Sequence, residues 1–147
     1  MANTIKIKSY VDVQEEYIAD AAITPGHLVK LDSDGKVTVF GTAKGMVLPM
    51  FALEDEHRGK TITDAYAQGD PVQCWIPSRG DVVYAILDKG QNVGIGDMLE
   101  PHDDGSLQKL TTGTAASDGG AIVGVALEAL NLTASTAVAT HIKVRIK

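Results

Sequence analysis

The amino-acid sequence predicts an all-β fold, assembled from hairpins as a meandering barrel or a sandwich. Three observations carry that prediction. Both chain ends alternate apolar and basic residues with a period of two. A turn closing on Asp-Gly recurs between short apolar runs. Helical periodicity is nearly absent.

The ends come first. Thr4-Ile5-Lys6-Ile7-Lys8 and His141-Ile142-Lys143-Val144-Arg145-Ile146-Lys147 each place isoleucine or valine on one face and cations on the other, as a half-buried strand does. Between them, Pro25 to Leu31 runs into Asp32-Ser33-Asp34-Gly35 and returns through Lys36 to Phe40. Ile95 to Glu100 runs into His102-Asp103-Asp104-Gly105 and returns through Ser106 to Leu110. In both, Gly supplies the positive φ that a tight hairpin turn requires. A looser copy, Gln68 to Ile76 then Pro77-Ser78-Arg79-Gly80 then Asp81 to Leu87, predicts a third hairpin. Gly120 to Leu130 reads as a buried strand in which Gly124 and Ala126 let another backbone come close. Leu110–Gly119 reads as a loop of Thr, Gly, Ala and Ser, and 131–140 is similarly small and polar. Glu54-Asp55-Glu56-His57-Arg58 can form one helical turn stopped by Gly59. Val11 to Ala22 fits either a short helix or an extended linker.

A chain of 147 residues suits one domain that buries its core without staples. Aromatic residues are 5% of the chain, so that core is chiefly aliphatic. The single cysteine, Cys74, rules out an intrachain disulfide. Its place in Val-Gln-Cys-Trp-Ile predicts a buried small hydrophobe. The net charge of −6 argues against bulk nucleic-acid binding. Five of the cations lie at the two ends, which leaves 8 basic against 19 acidic residues between Ser9 and Thr140. Those terminal cations read as solvated strand faces. No leader, membrane-spanning or lipidation pattern is visible, so a cytosol-like solvent is expected.

The chemistry-bearing residues do not assemble into a motif. Gly90-Gln91-Asn92-Val93-Gly94-Ile95-Gly96 lacks both phosphate-loop spacings and reads as turn glycine. Asp32-Ser33-Asp34-Gly35 places Gly at the fourth position, where a calcium loop needs it at the sixth, and no glutamate follows. His27, His57, His102 and His141 share no metal-ligand spacing and read as surface histidines. No Gly-x-Ser-x-Gly elbow occurs. No catalytic, cofactor-binding or metal-ligating residue is therefore expected.

One family does fit the order of these pieces. Leu53-Glu54-Asp55-Glu56, then Asp64-Ala65-Tyr66-Ala67-Gln68-Gly69-Asp70-Pro71-Val72, then Arg79-Gly80-Asp81-Val82-Val83-Tyr84-Ala85-Ile86-Leu87 resembles the middle of tailed-phage capsid decoration (head cement) proteins. Gly96-Asp97-Met98-Leu99-Glu100, Asp104-Gly105-Ser106-Leu107 and Val123 to Ala129 continue the likeness, over roughly residues 24–147. The resemblance implies a β-barrel or β-tulip domain over residues 23–147, preceded by an arm, strand and linker over 1–22. It implies homotrimers bound to the major capsid protein on the outer surface of a phage head, assembled in host cytoplasm. It implies no enzyme activity, no nucleic-acid or membrane partner and no cofactor.

Two local expectations follow. The strand Thr4, Ile5, Lys6, Ile7 and Lys8 is the candidate capsid-binding element, since a terminal strand can add to another sheet edge. The alternative is that it pairs within its own domain. Trp75 is the candidate core or trimer-interface anchor. An exposed Trp75 stacking on sugar would instead suit a glycan-binding module of a virion or cell surface.

Overall fold

The computed structural model describes residues 2–111 and 121–147. Its strands are β1 (Lys6–Lys8), β2 (Val13–Ile18), β3 (Val29–Leu31), β4 (Val37–Val39), β5 (Phe51–Ala52), β6 (Pro71–Ile76) and β7 (Val82–Leu87). They continue as β8 (Asn92–Val93), β9 (Met98–Pro101), β10 (Leu107–Lys109), β11 (Gly124–Ala126), β12 (Leu130–Asn131) and β13 (Thr140–Ile146). A single 3-10 turn, Glu56–Arg58, is the helical element among the described residues, and Gly59 ends it with φ of 69°. The fold is all-β, as the period-two pattern predicts.

Strands β7, β10, β9, β11 and β13 pair in that order, and β13 returns to β7, which closes a five-stranded barrel. Only the β7–β10 contact is parallel, at Leu87 and Leu107. The alternation read at the C-terminus holds: Ile142, Val144 and Ile146 are buried inside, while Lys143 and Arg145 point outward. Val83, Ala85, Leu87, Leu99 and Leu107 fill the same interior. Strand β7 is buried along its whole length, and its sequence is a continuous apolar run with no alternation. Val83, Ala85 and Leu87 pack in the core, β13 pairs along one edge, and β1, Gly26 and β10 hydrogen-bond along the other.

A second sheet, ordered β2-β6-β5, packs against the barrel. Strand β6 points Trp75 into the main core and Val72 and Cys74 into a smaller one with Ala19, Ile23, Val37 and Tyr66. The pairs β3–β4 and β8–β12 complete the molecule.

Two of the predicted hairpins form. β3 and β4 pair in register around Gly35, and β9 and β10 around Gly105. The third does not. A tight turn exists at Ser78–Asp81, where the Asp81 N–H donates to the Ser78 carbonyl at 3.0 Å, but the strands on either side part there. β6 runs in the three-stranded sheet and β7 in the barrel. The turn is a local property, whereas β6 has already found partners in β2 and β5, and β7 in β13.

The undecided segment Val11 to Ala22 is mostly strand. β2 pairs residue for residue with β6, from Val13 opposite Ile76 to Ile18 opposite Pro71. The run predicted as one buried strand from Gly120 is broken into β11 and β12, and Gly120 lies outside the described residues, as does the Leu110–Gly119 loop from residue 112 on. Gly124 meets its expectation. A Cβ built there would lie 2.3 Å from the carbonyl oxygen of Arg145, so only glycine permits β11 and β13 to approach this closely.

Candidate docking surfaces

The candidate attachment strand is joined to its own domain. Lys6 pairs with Val83 and Lys8 with Val82. The Ile5 carbonyl accepts the Tyr84 N–H at 2.8 Å. The Ile5 N–H donates to Glu54 Oε2 at 3.0 Å in a buried contact, and the Ile5 side chain is fully buried. Thr4 and Ile7 are half-buried. Lys6 Nζ lies 3.0 Å from Asp12 Oδ1, and Lys8 Nζ lies 5.0 Å from the centre of the Tyr10 ring. Of the two readings of this strand, intradomain pairing is therefore observed along one edge, with β7 as its partner and β13 on the far side of β7. β1 remains the terminal strand of its sheet.

Trp75 is wholly buried within its own chain, against Phe51, Leu28 and Leu53 in the main core. It is a core anchor. It offers no platform for stacking on a sugar, and its Nε1 has no hydrogen-bond acceptor among the described residues, so packing alone holds the indole. Cys74, on the opposite face of β6, is buried as expected, and desolvation pushes its thiol up to about 12.

The histidines depart from the surface reading in three cases of four, and sequence spacing gave no sign of it. His27 is half-buried, and its Nδ1 accepts the Thr24 N–H at 3.2 Å. His141 stacks on Tyr84 at 5.2 Å and its Nε2 lies 2.9 Å from the Pro25 carbonyl. Burial lowers the pKa of both rings, most of all by desolvating their charged forms. His102 sits at a corner where the end of β7 meets the β9–β10 turn. Its Nε2 lies 3.7 Å from Asp88, and its Nδ1 lies 2.9 Å from Asp103 and 3.2 Å from Asp104. Asp88, His102 and Asp104 could each direct one donor atom at a shared cation, with those atoms within 4.8 Å of one another. The donors are already engaged, however. Asp104 also accepts from the Ser106 N–H at 3.0 Å and from its hydroxyl. Burial raises the Asp104 carboxyl, and the bonds from Ser106 and His102 outweigh it to leave the group below its usual value. The corner is a hydrogen-bonded turn that ties β7 to the hairpin. Only His57 is exposed, beside the Asp55–Arg58 pair at 3.5 Å.

The surface carries a shallow polar cleft of about 200 Å³ lined by Thr4, Lys6, Gln14, Glu54, Glu56 and His57. Glu54, its most buried acid, is the acceptor for Ile5. A larger apolar groove of about 410 Å³ lies between β2, β3 and the 46–50 segment, lined by Tyr17, Leu31, Met46, Leu48 and Ile76. Leu48 is 91% and Met46 79% exposed.

The elements define a small all-β protein built on a closed five-stranded barrel with a three-stranded sheet laid against it. No protein-family model and no curated protein matches the chain. Among solved structures its fold is similar to that of the head fiber gp8.5 N base in bacteriophage phi29, with a TM-score of 0.59 and 14% identity, over 93% of this chain and 95% of that chain. At that identity the likeness is one of fold.

Proposed function

We propose that this is a structural virion protein: a decoration or cement protein that binds the outer surface of a phage capsid as a trimer and stabilises the head. One observation carries the reading. The chain shares its fold, over nearly the whole length of both molecules, with the base of a phage head fiber. The order of motifs from Leu53 to Leu87 and on to Ala129 supports the same class. The protein acts through contact area and not turnover. A specific contact buries about 1,200–2,000 Å², and a symmetric trimer repeats it at every lattice site, which multiplies a modest affinity. The shell is contacted by β1 through its outer edge and Lys8. The alternative, a glycan-binding module, loses its main candidate with the burial of Trp75.

Co-sedimentation with empty expanded heads of its own phage tests the proposal. The wild-type protein sediments with the heads and Lys8→Glu binds more weakly. A point variant is the better probe than deletion of the first ten residues, which would also remove the fully buried Ile5 from the core. A protein that stays in the supernatant at every concentration rejects the reading.

A further inference from the structure

We infer that the apolar groove between β2 and the 46–50 segment is the surface on which copies of this chain meet, with the Glu15 flank of one copy set against the Lys30 flank of the next. The inference rests on the oligomeric reading proposed above and names the interface that reading requires. Three features of the groove support it.

The first is the inverted pattern of residues 46–48. Val47 packs on the core, while Met46 and Leu48 on either side of it are the most exposed large apolar side chains among the described residues. Two large apolar side chains this exposed, flanking an inward-facing valine, form a patch that a partner can cover. The exposed apolar surface also continues across the sheet: Ile76 lines the groove, and its partner Val13 on β2 is exposed too.

The second is the edge. β2 is an outer strand of its sheet, six residues long, and none of its residues is fully buried. A strand of that length with one ladder edge open is a template for another chain.

The third is charge, and it selects a second copy as the occupant. Along β2 the face that carries Val13 and Tyr17 also carries Glu15, which lies between them in register with Cys74. On the other flank Lys30 lines the groove. Neither Glu15 nor Lys30 has an oppositely charged partner among the described residues. Lys30 Nζ lies 5.8 Å from the centre of the Phe40 ring and makes no ion pair. An acid on β2 and a cation on β3, neither in an ion pair, thus stand on either side of an apolar centre. Copies related by a rotation axis beside that patch bring the acid of each to the cation of the next, and a head-to-tail contact of this kind closes as a ring. The apolar centre supplies the energy and the flanking charges fix the register.

A charge-swap series measured by sedimentation equilibrium tests this. Glu15→Lys and Lys30→Glu each raise the concentration at which the oligomer dissociates by about tenfold or more, the scale expected for a close interfacial charge pair. The double variant E15K/K30E restores association toward wild type. Leu48→Asp gives a monomer with an unchanged circular dichroism spectrum. Single reversals that leave the wild-type mass intact overturn the inference while the trimer and the proposed function stand. A Leu48→Asp protein that remains oligomeric but no longer sediments with heads also overturns it, because the groove then faces the shell. A wild-type chain that is monomeric at every concentration overturns both the groove assignment and the trimer.

Discussion

The carboxylate of Glu54 accepts the backbone N–H of Ile5 at 3.0 Å, across 49 residues of sequence, in a contact closed off from solvent. It anchors the first strand to the body of the protein, and Asp81 does the same a few residues later. Asp81 is fully buried and takes the Tyr10 N–H at 2.9 Å and the Ser78 N–H at 2.8 Å. The N-terminal segment is therefore held at two points by buried acids, and this determines which face of β1 is left to meet a partner.

Removing the first anchor should be costly. Glu54→Ala leaves the Ile5 N–H buried without an acceptor and should destabilise the fold by about 2–3 kcal/mol. Glu54→Gln keeps an acceptor oxygen and should cost roughly half as much. Urea midpoints of the two variants against wild type measure the difference. Equal midpoints for alanine and glutamine would show that the hydrogen bond contributes nothing.

Two glycines should respond very differently to alanine. Gly124 has the Arg145 carbonyl oxygen 2.3 Å from the position of an added Cβ and Val144 Cγ1 at 2.8 Å. Gly124→Ala therefore forces β11 and β13 apart and should cost about 3 kcal/mol or more. Gly35 has φ of 75° and open space around it. Its replacement meets only the left-handed backbone penalty, about 1 kcal/mol. Thermal denaturation of the two variants side by side reads the contrast.

Stability should fall on mild acidification. The folded chain lowers the pKa of His27 and His141 from 6.5, first through desolvation by burial, so the unfolded chain takes up protons more readily than the folded one. Their contribution is fully present above about pH 6.5 and is lost as pH drops through the lowered folded values. The urea midpoint should decline from pH 7 toward pH 5, above the range where aspartates titrate. The variant His27→Gln/His141→Gln should flatten that slope, and an unchanged slope would remove these rings as its source.

The Cys74 thiol should be inert in the native state. It is buried and its pKa is pushed up to about 12, so almost no thiolate exists at neutral pH. Alkylation by iodoacetamide should proceed only at the rate of unfolding and become rapid in denaturant. Prompt labelling of the folded protein would contradict the burial of β6.

What was legible in the sequence was local. The Asp-Gly turns at Gly35 and Gly105 carry their own φ requirement, and the C-terminal alternation shows which side of β13 faces in. Partner choice was not legible. Ser78–Asp81 has the chemistry of a hairpin turn, yet β6 and β7 leave it for different sheets, because pairing is decided by β2, β5 and β13 far along the chain. β2 escaped assignment because an edge strand exposed on both faces has no reason to alternate, and Val13-Gln14-Glu15-Glu16-Tyr17-Ile18 does not. The groove draws on residues 17, 29–31, 40, 46–50 and 76, and no short window of sequence contains all of them. Its one sequence sign was the apolar run Met46-Val47-Leu48, which a hairpin-centred reading passes over.

The proposed decoration role is tested most directly by the temperature at which expanded phage heads rupture, followed by dye access to the packaged DNA. Saturating protein should raise that temperature, and Leu48→Asp should raise it less, since a monomer loses the multivalent hold on the lattice. Heads that bind the protein yet rupture at the same temperature, or heads that do not bind it at all, would contradict the decoration role.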